Sequence, residues 1–181
     1  MPALIALALS VGVLAVLDTW LFGLAALAAL GLQVWISFIS WGTHFQAGGK
    51  ANGSITAAAC MSFGALVGMV ALILAGGALA GLGTLAAPIA VGLGAAVIVL
   101  ASRVPFLGIP PIGFYGFAAV AAVTILVQVN GTAMTPVGAL VATVLSILIG
   151  VAFGFVSEIL TDALTKKGQP SAEVTADPGH A

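Results

Sequence analysis

Apolar positions along the chain run in long unbroken stretches, and short polar or Gly/Pro-rich interruptions cut them into six segments. These cover residues 4–17 (extending toward Trp20), 22–44, 54–75, 76–102, 111–128 and 136–160. None alternates with a period of two, so a lipid-exposed β-barrel is not the expectation. Runs of this length and apolarity predict membrane-spanning helices of roughly 17–25 residues. The fourth is composite: "GGALAGLGTLAAP" predicts a loop or half-helix before a main span over 86–102. After Lys166 the tail "GQPSAEVTADPGHA" lacks the apolar surface to order itself. The predicted organisation is one transmembrane domain, 1–165, with halves at 1–76 and 77–165, and a disordered cytoplasmic tail, 166–181.

Composition agrees with this pattern. Apolar residues make up 62% of the 181-residue chain and charged residues 5%, against about 25% charged in soluble domains. The mean hydropathy of +1.30 leaves lipid as the natural solvent. The 24 glycines then read as close helix packing, where in water they would suggest loops. A net charge of −1 gives no electrostatic footprint for nucleic acid. Cys60 stands alone, which excludes an internal disulfide. Residues 3–17 lack a basic start and a small-x-small cleavage site, so they are expected to be a retained first helix.

Charge placement fixes an orientation. With six spans and a cytoplasmic N-terminus, Lys50, Arg103, Lys166 and Lys167, which are all the Lys and Arg residues, fall on the inner side. Both termini are therefore expected in the cytoplasm. "FGALVG" (63–68) and "IGVAFG" (149–154) align at their glycines, Gly64 with Gly150 and Gly68 with Gly154, 86 positions apart. This register makes the third and sixth spans correspond, and the second and fifth. Three spans per half is an odd number, so the halves would be inverted. The other reading is ordinary small-xxx-small packing, within one chain or between copies in a homo-oligomer.

Polar chemistry gathers in the second span. Gln33, Ser37, Ser40, Trp41 and His44 form one stripe on a 3.6-residue helix, with Trp35, Phe38, Gly42 and Phe45 opposite. A polar stripe facing hydrocarbon is costly, so it should face a wet path or other helices. Trp41 and His44 also suit the headgroup interface. "QAGGKANG" (46–53) lacks the Walker spacing and reads as a turn. "VPFLGIPPIGFYGF" (104–117) reads either as a broken segment lining a cavity, with Tyr115 among its walls, or as a turn with Pro111 starting a helix. Thr124 and Gln128, on one face of the fifth span, would extend the path. Asp18 is either a turn cap or a proton or cation site. Glu158 and Asp162, one turn apart, are expected to be solvated. No H-E-x-x-H or G-x-S-x-G occurs, so neither a catalytic site, a metal site nor a cofactor is expected.

"WISFISWGTHFQAGGKANG", "FGALVG" and "VPFLGIPPIGFYGFAA", followed by a Gly-rich last span, resemble the YcdZ-type bacterial inner-membrane proteins, the family of domain of unknown function 1097. The resemblance covers about residues 4–160 and implies a bacterial inner-membrane location. It brings no substrate and no catalytic residue.

The expected fold is thus an all-α polytopic bundle of about six transmembrane helices in the lipid bilayer. Two functions fit: a channel or transporter for a small neutral or weakly polar solute, or a non-transporting scaffold or accessory subunit. The few intramembrane charges argue against a coupled ion pump. The topology is checked with fluorescent and phosphatase reporters fused after Ala181. Fluorescence without phosphatase activity is expected, and the reverse would refute the six-span, N-in assignment.

Overall fold

The structure is a computed structural model, and it describes residues 1–166. The tail expected to be disordered lies, from residue 167 on, outside the described residues. The elements in chain order are α1 (Ala3–Phe22), α2 (Ala25–Ala29), α3 (Val34–Gln46), α4 (Lys50–Gly76), a 3₁₀ segment (Ala80–Leu85), α5 (Ala86–Ala101), α6 (Pro110–Leu126), a two-stranded hairpin of β1 (Gln128–Val129) and β2 (Thr132–Ala133), and α7 (Pro136–Lys166). It is an all-α membrane helix bundle. Four helical stretches, Ala3–Phe22, Lys50–Gly76, Ala80–Ala101 and Pro136–Thr165, are long and apolar enough to cross a membrane, and Pro110–Leu126 is a shorter apolar helix. Large apolar side chains stand exposed along their outer faces, Leu4, Val16, Val91, Leu100, Leu126 and Val141 among them, as lipid contact requires.

The second segment differs from its expected form. A single span over 22–44 does not form, because α1 continues to Phe22 and the chain then breaks around α2. Gly31 takes a left-handed φ of +73°, with Met134 packed where a Cβ would project. Gln33 follows in an extended conformation as the N-cap of α3. That leaves α3 at 13 residues, about 20 Å, short of a hydrocarbon core of about 30 Å. The irregular backbone before it is satisfied internally. The Leu32 N–H bonds the Leu27 carbonyl, the Gln33 N–H bonds Ser146 Oγ at 3.1 Å, and the Gly31 carbonyl accepts from Gln33 Nε2 at 3.0 Å.

Other boundaries follow local chemistry. Gly48 (φ +96°) and Gly49 (φ +68°) make the α3–α4 turn, and α4 begins at Lys50. The stretch 104–117 resolves into a turn and a helix with Pro110 and Pro111 in its first turn, where a missing N–H costs nothing. Asn130 (φ +53°) and Gly131 (φ +74°) form the tight hairpin turn that an Asn-Gly pair favours. The fifth span accordingly ends at Leu126, and Gln128 lies in β1.

The core lies where the helices cross, around Ile36, Met61, Ile112, Val120, Val123 and Ile147. Its organising contacts are glycines. A Cβ on Gly64 would collide with the carbonyl of Gly113, and one on Gly68 with Val120 and the Phe117 backbone, so α4 and α6 lie parallel with backbones touching. A Cβ on Gly150 would collide with the Ser37 carbonyl and Ser40 Oγ, and one on Gly154 with His44, so α7 and α3 lie parallel in the same way. All four small-xxx-small glycines are spent inside the chain, so these faces are not available for association between copies.

Gly150→Ala is expected to destabilise the fold by about 1–3 kcal/mol, because its methyl meets backbone that cannot yield. Gly12→Ala, with open space beyond, is expected to be neutral or stabilising by up to ~1 kcal/mol. Thermal unfolding in detergent micelles checks the pair; equal effects would refute the packing assignment.

Candidate functional site

The polar side of α3 is buried and its aromatic side is exposed, as the stripe predicts: Ser37, Ser40, Trp41 and His44 face inward, while Trp35, Phe38 and Phe45 face outward. Helix periodicity brings Thr43 to the buried side as well. Gln33 belongs to the turn instead, and its side chain is held by Gly31 and by Trp35, whose Nε1–H donates to Gln33 Oε1 at 3.2 Å.

At the α1 end of the row, Ser37 Oγ donates to Asp18 Oδ1 at 3.0 Å. Asp18 caps no turn. Ala6, Ser10, Leu14, Asp18 and Phe22 form the buried face of α1, and Asp18 is 0% exposed. Its Oδ2 has no partner; among the described residues Thr143 Oγ1 is the other buried side-chain polar atom in that position. Next along α3, Ser40 Oγ lies 2.9 Å from the Ser37 carbonyl and 3.0 Å from the Ile147 carbonyl on α7, bridging the seam opened by Gly150. Trp41 then donates through Nε1 to Ser157 Oγ at 3.0 Å and packs between Phe38 and Phe153.

His44 closes the row. Its Nδ1 lies 3.0 Å from Ser54 Oγ on α4 and its Nε2 3.2 Å from Glu158 Oε2 on α7. Glu158 also accepts the Lys50 backbone N–H at 2.6 Å, placing a carboxylate at the start of α4, where unpaired N–H groups favour negative charge. The carboxylate occupies the space beside Gly49 that a Cβ would need. Glu158 is therefore a three-helix junction and not the solvated residue expected of it, whereas Asp162 is exposed. One continuous polar row thus runs from Asp18 through Ser37, Ser40 and Trp41 to His44 and Glu158.

The remaining sequence candidates do not join it. Tyr115 is exposed on α6, Thr124 bonds back to the Val120 carbonyl at 2.8 Å, and Gln128 is exposed in β1. Ser54, Ser146 and Ser157 are contacts of the row that the sequence did not point to, and Asp18 and Glu158, singled out in the sequence, were not placed in it. Ser146, Gly150, Gly154 and Ser157 repeat at spacings of 4, 4 and 3, and Ser10 and Asp18 are eight apart; each set marks one helical face. No cluster of three or more His, Cys, Asp or Glu side chains able to hold a metal occurs among the described residues.

Glu158→Ala removes the partner of the buried His44 ring and the acceptor of the Lys50 N–H at the start of α4, and is expected to cost about 1–3 kcal/mol. Asp162→Ala is expected to stay within about 0.5 kcal/mol. Unfolding of both variants in the same detergent checks this; equal stability would remove Glu158 from the junction.

Residues 8–162 match the model of a family described as "Protein of unknown function (DUF1097)". No curated protein and no solved structure matches the chain. The match spans the row from Asp18 to Glu158 and the helices around it, α1 from Ala8 and α7 up to Asp162, and this chain, with its membrane-length apolar helices, belongs to the DUF1097 family.

Proposed function

We propose that this protein moves a small neutral or weakly polar solute across a bacterial inner membrane, working as two inverted three-helix halves with both termini cytoplasmic. One observation carries the reading: the packing occurs twice with partners exchanged. Gly64 of α4 meets Gly113 of α6, and Gly150 of α7 meets Ser37 of α3. Gly68 meets Val120, and Gly154 meets His44. Gly116 lies against the Met61 carbonyl, while Ser40 bonds the Ile147 carbonyl. A shift of 86 positions carries α4 onto α7, and one of 76 carries α3 onto α6, for every one of these contacts. Such reciprocal halves, with irregular backbone before α3 and before α6, are the usual frame of alternating-access carriers and of several channels.

The exchange groups α1, α3 and α7 into one body and α4, α5 and α6 into the other, and the polar row, which crosses between them where His44 meets Ser54 and Glu158 meets the Lys50 N–H, supplies groups that could contact a solute as the bodies rock. In this conformation the seam is closed, so the reading assigns flux to a second arrangement. A scaffold reading has its own support: Ser37, Ser40, Trp41 and His44 already make dry contacts between helices.

Flux of small uncharged solutes such as glycerol and urea into liposomes separates the two. Rates above empty liposomes are expected for at least one of them, with a fall of about tenfold in Ser37→Ala, corresponding to roughly 1.4 kcal/mol of barrier. Folded, reconstituted protein with no flux above background would sink the transport reading and leave the scaffold, which expects stable co-purification with a larger partner.

A further inference from the structure

The two seams pack alike but differ in chemistry. Where Asp18 of α1 meets Ser37, a Cβ on Gly113 would meet Ile98 of α5, and Ser37 and Gly113 each turn a carbonyl to a glycine, Gly150 and Gly64. The shift of 80 positions that carries Asp18 onto Ile98 also carries the three buried positions before it in α1 onto those of α5: Ala6, Ser10 and Leu14 onto Ala86, Ala90 and Gly94. One seam thus closes with Ile98, Gly113, Gly116 and Val120, and the other with Asp18, Ser37, Ser40 and His44. The bundle does not need polar groups to pack at these positions. A buried carboxylate retained where an isoleucine suffices calls for a ligand.

The surroundings narrow that ligand. Asp18 is fully enclosed, with Ser37 on Oδ1 and nothing on Oδ2. An ionised carboxylate in an apolar membrane interior is costly unless a cation or a proton compensates it. Among the described residues no cation faces it. On α3 the nearest titratable group is His44, seven residues or about 10 Å beyond Ser37. On α7, Glu158 and Asp162 lie at least eight residues, about 12 Å, beyond Gly150, and α2 carries no titratable group. A calcium or magnesium ion would need about six oxygen ligands, whereas Asp18 and Ser37 together offer three side-chain oxygens, and no cluster of three or more His, Cys, Asp or Glu side chains occurs among the described residues for a transition metal.

We infer that Asp18 is a proton-binding site, with Oδ2 taking a proton from water when the α1–α3–α7 seam opens and returning it to water on release, while Ser37 stays bonded to Oδ1. The inference rests on the two-half reading above for its comparison of seams, and it makes Asp18 the group through which proton and solute movement are coupled. This revises the expectation that scarce charge argues against coupling.

Infrared titration of the full-length protein in liposomes tests it. A protonated-carboxyl C=O band that follows bulk pH is expected, lost in Asp18→Asn and kept in Asp162→Asn. Ser37→Ala should move the band to higher frequency, because the carbonyl oxygen loses its donor. Should Asp18→Asn fail to fold, the double variant Asp18→Ile/Ser37→Gly copies the other seam and is expected to fold without the band. A wild-type spectrum with no pH-dependent difference from either variant would overturn the inference. Flux without the band would remove the proton site alone, and the band without flux would remove transport alone.

Discussion

Backbone-to-backbone contact at glycine is the constraint on which this bundle depends. In lipid, apolar side chains gain nothing by leaving the solvent for one another, so helices associate through close van der Waals fit and the hydrogen bonds that closeness permits. Gly64 and Gly150 bring carbonyls of the neighbouring helices to the place a Cβ would fill. Only at that distance can Ser40 on α3 reach the Ile147 carbonyl on α7. Polar bonding is therefore downstream of packing: the glycines set the spacing and the hydroxyls use it.

The same constraint explains the position of the polar row. Buried hydroxyls, an imidazole and a carboxylate are tolerated at membrane depth only with partners. Along the α3–α7 seam nearly every one has a partner, and these partners come from α1, α4 and α7 together. The row fixes the relative rotation of four helices, which apolar contacts alone leave less determined.

Much of this was legible in the sequence. The apolar runs gave the membrane helices, the i, i+3, i+4 spacing from Ser37 to His44 gave the buried side of α3, and the aligned glycines at 64/68 and 150/154 marked the positions where helices touch. The break in the second span was not legible, because Gly31 is one glycine among many and the side chain that fills its Cβ position, Met134, is a distant residue. Glu158 was misread for a similar reason. Its partners, His44 and the Lys50 N–H, are more than a hundred positions away, and one-dimensional spacing sees only the solvent-like company of Asp162. Gln128 failed differently, because the helix ends at Leu126 and the Asn130–Gly131 turn folds the residues beyond it into a hairpin, whereas Thr124 stays on α6 and spends its hydroxyl on the Val120 carbonyl.

The exchange of partners between halves also imposes an order on biosynthesis. The packing partner of α3 is α7, which leaves the ribosome after every other described helix, and the α3–α4 turn receives its carboxylate from Glu158, 108 residues after Lys50. Until α7 emerges, Ser40 and Trp41 have no interhelical partner and the polar side of α3 has no seam to enter. The polar side of the nascent first half therefore stays without its seam until α7 arrives and locks the earlier helices in place.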